Sequence, residues 1–178
     1  MLTRFPVLLG NVIEVVGIIA ALSFLLLAPL LRNVLLGFLL YLIALSFLIF
    51  FPHCLAHYVV GRLTGIRFDY YCLGKSGIGK LKLPFVRPVG GKLPVLTLKV
   101  NRGSIHSGSR LRASAMFSAG AAASMVLPFL AAAASIGQLP LTLSLILILI
   151  AAGNLLFDLY YSPRAGDLAR ARSFKESS

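Results

Sequence analysis

Four long apolar stretches constrain the fold of this chain more than any other feature of its sequence. They run through residues 5–31, 34–60, 113–136 and 139–161. A helix of roughly 20 apolar residues crosses the hydrocarbon core of a bilayer, which is about 30 Å thick. The sequence therefore predicts an all-α polytopic membrane protein, with four transmembrane helices in a single membrane domain, 1–178. The first stretch is longer than the apolar region of a signal peptide, so we expect it to remain as a span.

The basic residues are distributed very unevenly about these spans. Loop 61–112 holds eleven of the 17 Lys and Arg residues, tail 162–178 holds four, and Arg4 lies near the N-terminus. Only Arg32 falls on the opposite side. The positive-inside rule therefore predicts that both termini and the long loop are cytoplasmic. The membrane we expect is the cell membrane of a prokaryote.

The net charge of +12 does not require a nucleic-acid partner, because membrane topology explains where the charge lies. The partners we expect are the lipid bilayer and anionic lipid headgroups at the basic loop. With only two cysteines, Cys54 and Cys72, the chain has no disulfide framework.

The long cytoplasmic loop contains three β-like runs, at 68–73, 80–85 and 93–100, separated by glycines. This pattern favours a small sheet against the cytoplasmic membrane face. The alternative is an irregular polybasic loop held on anionic headgroups. In the third span, small residues at 118–124 are typical of a helix that packs closely against others in a bundle.

Ionisable residues within or beside the spans are rare, and such residues mark functional sites. They are Glu14, His53, His57, Asp158 and Asp167. A spacing of four puts both histidines on one face of the second helix, where they can converge on one metal ion. Hydrogen-bonded structural histidines are the alternative. At 1.5 Å per residue the histidines lie roughly 6–12 Å inside the membrane, and Asp158 lies at a similar depth. Two histidines and a carboxylate at one level are typical of a zinc site with an open position.

The segment 53–65, which begins His-Cys-Leu-Ala-His, resembles the HExxH helix of the site-2 protease family of intramembrane zinc metalloproteases. Residues 112–120 resemble the family's span that opens with a small-residue Ala-Gly motif. Asn154 with Pro163, Asp167 and Arg170 resembles its Asn-to-Asp-Gly motif, whose aspartate supplies the third zinc ligand. The resemblance covers roughly residues 45–172. It implies a zinc cofactor bound by His53, His57 and an aspartate, and a transmembrane protein as substrate or partner.

The chain departs from the family pattern at two places. Cys54 stands where the family has its general-base glutamate, and a thiol does not relay protons from water to a leaving group as a carboxylate does. The distance from Asn154 to Asp167 is longer than the family spacing, and no glycine follows Asp167. Asp167 has the better local match and Asp158 the better depth; both are candidate ligands, and depth favours Asp158.

Glu14 is a candidate to replace the missing general-base glutamate. If the first span begins near residue 5, Glu14 lies about 13 Å deep, close to the level of His53. It is therefore a candidate catalytic residue together with Cys54. The alternative is a protonated glutamate that is hydrogen-bonded to a neighbouring helix.

Three functions remain open from the sequence. The first is a site-2-protease-like protein that binds zinc but is proteolytically degenerate, a regulatory pseudoprotease. The second is an active intramembrane metallopeptidase with an unorthodox base. The third is a structural or accessory subunit of a membrane protein complex, in which the histidines are structural.

Overall fold

The structure is a computed structural model that describes residues 3–75, 94–105 and 110–176. Within these residues six helices and three strands follow one another along the chain, with short 3-10 turns at Ala28–Leu30 and Arg102–Ser104. The elements are β1 (Thr3–Phe5), α1 (Val7–Leu27), α2 (Val34–Leu63), β2 (Phe68–Lys75), β3 (Pro94–Val100), α3 (Arg110–Val126), α4 (Pro128–Ser135), α5 (Leu141–Ala165) and α6 (Asp167–Glu176).

Among the described residues, four segments are long and apolar enough to cross a membrane: Val7–Leu30, Val34–Leu63, Leu111–Ser135 and Leu141–Ser173. The prediction of a mostly helical chain with four long apolar helices is confirmed. Their outward faces are themselves apolar, and many leucine, isoleucine and valine side chains are exposed along them. A helix that is apolar on all faces is typical of a protein core or a membrane span.

The third of these segments is two helices rather than one. α3 ends at Val126 and α4 begins at Pro128. A proline inside a helix lacks the N–H for the ladder, and its ring clashes with the preceding turn. The single helix expected over 113–136 is therefore divided here.

The three strands form one antiparallel sheet in the order β1-β2-β3. β2 and β3 pair from Phe68 with Val100 to Lys75 with Pro94, in the loop where β structure was predicted. β1 pairs Thr3 with Leu73; this strand was not predicted, because the sequence pattern places Phe5 at the start of the first span. The third predicted run, 80–85, lies outside the described residues.

Tyr71 of β2 fixes the sheet to the beginning of α1. Its buried ring lies where a side chain at Gly10 would stand, so α1 needs glycine there to approach the sheet. The Tyr71 hydroxyl donates a hydrogen bond of 2.8 Å to Oδ1 of Asn11. Burial raises the pKa of the Tyr71 phenol, which keeps it a neutral donor.

The helices pack through small residues and aromatic rings. The buried core between α1, α2, α4 and α5 is rich in alanine and leucine around Tyr41. Gly17 of α1 accommodates the ring of Phe51, and Gly61 of α2 accommodates the ring of Phe68. Small residues allow helix backbones to approach closely where packing drives association. Both sets of contacts place α2 at the centre of the bundle, against α1 on one side and α3 on the other.

Candidate metal centre

Two imidazoles of α2 form the centre of the candidate site. His53 and His57 are one helical turn apart, and their ring planes are perpendicular with centroids 4.8 Å apart. Their Nε2 atoms approach to 3.3 Å, because residues at i and i+4 lie one above the other on a helix face. His57 is buried, whereas His53 is partly exposed.

A carboxylate from the far end of the chain completes the cluster. Asp167 is the first residue of α6, directly after the break at Gly166. Its Oδ2 lies 3.0 Å from Nε2 of His53 and 3.2 Å from Nε2 of His57. The hydroxyl of Ser162 accepts a hydrogen bond of 3.1 Å from the N–H of Leu168, and this contact caps the beginning of α6 and positions Asp167.

The three atoms have the spacing of ligands around one small cation. Zinc binds imidazole nitrogen and carboxylate oxygen at about 2.0–2.2 Å in tetrahedral geometry, which puts two ligand atoms about 3.3 Å apart. The observed separations are 3.0, 3.2 and 3.3 Å. Three protein ligands of this kind leave a fourth tetrahedral position open.

The hydrogen bonds on the outer nitrogens also favour a cation. Nδ1 of His57 lies 2.7 Å from the carbonyl oxygen of Met116; because a carbonyl only accepts, Nδ1 carries a proton, and Nε2 is the nitrogen available to a metal. Nδ1 of His53 is 3.3 Å from the hydroxyl of Ser124, which can accept a proton from Nδ1 and leave Nε2 available in the same way. With Nε2 of both rings unprotonated, the two lone pairs and the carboxylate oxygen would repel one another unless a cation lay between them. The donor set thus fits a metal ion.

Gly120 gives His57 the room to occupy this position. A Cβ atom at Gly120 would meet the Nε2, Cε1 and Cδ2 atoms of the His57 ring. The ring is therefore held between the α3 backbone at Gly120 and the Met116 carbonyl, one turn earlier on the same helix. Small residues in this stretch were interpreted as helix packing; their contact with a histidine ring is a finding of the structure.

Asp158 lies beside the cluster and not in it. Its Oδ2 accepts a hydrogen bond of 3.3 Å from the hydroxyl of Ser124, and Asn154, one turn earlier on α5, donates a bond of 2.8 Å to the Ser124 carbonyl. Depth along a straight fourth span favours Asp158 over Asp167 as the ligand. The structure places Asp167 with the histidines, because the chain turns back at Gly166 and returns α6 toward α2.

Cys54 does not belong to the cluster of ligand atoms. Its buried thiol donates a hydrogen bond of 3.3 Å to the carbonyl oxygen of Leu96 in β3. The metal-ligating atoms that lie together in the described residues come from His53, His57 and Asp167.

Glu14 reaches the same turn of α2 from α1. Its side chain is buried, and Oε2 accepts a hydrogen bond of 3.0 Å from the backbone N–H of Leu55. The carboxylate also interacts with the thiol and backbone of Cys54. Glu14 therefore provides the Leu55 N–H, within α2, with a side-chain acceptor from a neighbouring helix.

An apolar groove adjoins the ligand-bearing turns of α2. It has a volume of about 340 Å³ and contains Pro52 and Ala56, which directly precede His53 and His57. Ile18 of α1 and Ala123 of α3 also line this shallow groove. The groove is lined almost entirely by carbon and so suits an apolar chain.

Two contributions to the site escaped the sequence analysis. The contact of His57 with Met116 uses a main-chain carbonyl, which every residue has, so the sequence could not identify it. Ser124 had a signal, since it is a hydroxyl in an otherwise apolar helix, but it was interpreted only as a small packing residue. Comparison of the chain with protein-family models, curated proteins and solved structures finds no match.

Proposed function

We propose that this chain is an integral membrane protein that binds one zinc ion through His53, His57 and Asp167, in a site like that of the site-2 proteases. The convergence of the three ligand atoms, with separations of 3.0–3.3 Å, carries this proposal. When bound, zinc supplies a Lewis acid that polarises a carbonyl group. Two histidines, a carboxylate and an open fourth position are the ligand set of catalytic zinc sites.

Membrane insertion is supported by the surfaces of the four apolar segments. Their outward side chains include Leu8, Leu26 and Leu141, each more than 70% exposed in the isolated chain. Such faces are stable against lipid tails and unfavourable in water. The basic loop and tail then face the cytoplasm, where anionic headgroups attract them.

The hydrolytic step needs a proton acceptor as well as a metal. In zinc hydrolases a positioned carboxylate takes up a proton and transfers it to the leaving group. Cys54 occupies the position of that carboxylate in the HExxH pattern, and its thiol is directed at the Leu96 carbonyl. We therefore propose first a regulatory pseudoprotease, which holds a transmembrane partner without cleaving it.

One observation favours an active peptidase as the second candidate. The Glu14 carboxylate lies against Cys54, the residue that stands at the position of the family's base. A carboxylate donated by α1 would replace the one missing from α2. The apolar groove beside His53 and His57 supports an apolar segment of a membrane protein as the substrate or partner in either case.

Metal content tests the shared basis of both candidates. We expect about one zinc per chain in detergent-purified wild-type protein and none in His53→Ala/His57→Ala, measured by elemental analysis. A wild-type protein that stays free of metal after zinc is supplied would refute the metal site and leave a structural subunit as the better description.

Cleavage of a single-span reporter protein then separates the two candidates. A pseudoprotease gives no cleavage at any enzyme concentration. An active peptidase gives cleavage that His57→Ala abolishes and that Glu14→Gln strongly reduces. Full cleavage by Glu14→Gln would exclude Glu14 as the proton acceptor.

A further inference from the structure

We infer that Asp158 is a positioning residue of the zinc site, which acts on His53 through the hydroxyl of Ser124. The inference rests on the proposed zinc site and deepens it. It gives separate roles to the two aspartates between which the sequence could not decide: Asp167 binds the ion, and Asp158 orients a ligand.

The hydrogen bonds between these residues have one consistent direction. A His53 ring that binds metal through Nε2 carries its proton on Nδ1, which lies 3.3 Å from the Ser124 hydroxyl. That oxygen accepts from Nδ1–H and can donate its own proton onward. Oδ2 of Asp158, 3.3 Å away, is an acceptor for it. The path therefore runs from the carboxylate through the hydroxyl to the ring, and it leaves the Nε2 lone pair facing Asp167.

Ser124 has other acceptors, which must be weighed against Asp158. Its hydroxyl also lies 3.2 Å from the carbonyl oxygens of Gly120 and Ala121, as serines in helices commonly do. These carbonyls already take part in the helix ladder, whereas Asp158 offers a carboxylate. A bound cation nearby favours the ionised form of a carboxyl group, and a hydrogen bond to an ionised acceptor is roughly twice as strong as a neutral one. We therefore assign the Ser124 proton to Asp158 in the zinc-bound state.

The backbone of α3 is fixed against α5 at the same point. Asn154 donates to the carbonyl of Ser124 at 2.8 Å, and Asp158 accepts from its hydroxyl one turn later on α5. Asn154 and Asp158, one turn apart on α5, thus contact both the main chain and the side chain of Ser124. The Ser124 carbonyl needs such a donor, because Pro128 four residues later has no N–H for it, and the contact from Asn154 places Asp158 at the level of the Ser124 hydroxyl.

The two histidines differ in the kind of outer partner they have. His57 uses the Met116 carbonyl, a neutral main-chain group. His53 uses a side-chain path that ends in a negative charge. A carboxylate behind a ligating imidazole fixes its tautomer and increases its basicity.

Charge balance favours a second carboxylate here. A zinc ion carries two positive charges, and Asp167 supplies one negative charge. The other oxygen of the Asp167 carboxylate, Oδ1, is paired with the Arg170 guanidinium at 3.1 Å. In an apolar bundle an uncompensated charge is costly. An ionised Asp158 would supply a further negative charge, one hydroxyl group away from His53.

Zinc affinity of the full-length protein in detergent tests the inference. The variants are Asp158→Asn, Ser124→Ala and the double variant, titrated with zinc against a chromophoric chelator. Ser144→Ala is the matched control for Ser124→Ala, because Ser144 is also a buried helix serine bonded to a carbonyl, that of Ser135. Asp69→Asn, remote from the site and bonded to Asn101, is the control for Asp158→Asn.

We expect each single variant to bind zinc about 10–100-fold more weakly, the usual effect of removing an outer partner of a ligating histidine. The double variant should bind zinc with the same affinity as the more strongly affected single variant, because both changes break the same hydrogen-bond path. Both controls should keep wild-type affinity. Cobalt-substituted protein should keep the visible absorption bands of a four-coordinate site in Asp158→Asn.

Three results would overturn the inference. Wild-type affinity in Asp158→Asn, with zinc bound normally, would remove the role of Asp158 and leave the zinc site intact. Additive losses in the double variant would mean that Ser124 and Asp158 act separately. A change in the cobalt coordination bands in Asp158→Asn would make Asp158 a direct ligand. A wild-type protein that binds no zinc would instead refute the proposed function, and this inference with it.

Discussion

Replacement of Gly120 by alanine should remove metal binding while it leaves the fold intact. The added methyl carbon would lie 2.6 Å from Cδ2 of His57, and closer still to Nε2 and Cε1. Carbon atoms in contact are separated by about 3.5–4.0 Å, so the ring must move by about 1 Å. The Met116 carbonyl, bonded to Nδ1 at 2.7 Å, holds the ring on its other edge.

The size of this shift decides the outcome at the site. Zinc–nitrogen bonds are about 2.0–2.1 Å long, and a displacement of about 1 Å exceeds the roughly 0.5 Å that a functional site tolerates. The variant should therefore lose His57 as a ligand. Outer-partner changes cost about 10–100-fold in affinity, and we expect this change to cost more than about 100-fold.

Stability should change much less than affinity in Gly120→Ala. Alanine is favoured over glycine within a helix by about 0.8–1.0 kcal/mol, which offsets part of the overpacking cost of about 1–3 kcal/mol. The assay is zinc titration with thermal unfolding of the zinc-free protein in parallel. Gly153→Ala is the matched control, since no atom of the described residues lies within 4 Å of a Cβ built at Gly153. Zinc affinity within about threefold of wild type in Gly120→Ala would refute the reasoning.

Three further changes have expected results. Asp167→Asn should weaken zinc binding by more than about 100-fold, whereas Arg170→Ala, at an exposed guanidinium, should stay within a few-fold in the same titration. Glu14→Ala should lower the free energy of unfolding in detergent by about 1–3 kcal/mol, because the Leu55 N–H loses its acceptor; Glu14→Gln keeps an acceptor, and an equal loss there would contradict this account. Tyr71→Phe should lower the same quantity by about 0.5–1.5 kcal/mol through the lost bond to Asn11, and an unchanged unfolding curve would exclude it.

The helical part of the fold could be predicted because its signal is local. Apolar runs of about 20 residues are visible in any window of the sequence. The common face of His53 and His57 follows from the helix period alone. β1 could not be found in this way, since Thr3–Phe5 gains its structure from pairing with β2, nearly 70 positions further along the chain.

The sequence offered both Asp158 and Asp167 as the carboxylate of the site, and the choice between them could not be made because it depends on a break between two helices. Depth along a straight fourth span favoured Asp158. The helix instead ends at Ala165, and Gly166 lets the chain turn so that α6 packs on α3. No local pattern gives the direction of such a turn, and that direction decides which aspartate meets the histidines.

The return of α6 to α2 has a consequence for the unfolding of the protein. His57 and Asp167 are 110 positions apart in the chain, so an ion between them would join two distant segments. A ligand that binds the folded form alone stabilises it by about 2.7 kcal/mol at a hundredfold excess over its dissociation constant. The unfolding temperature of the protein would then rise with the concentration of free metal.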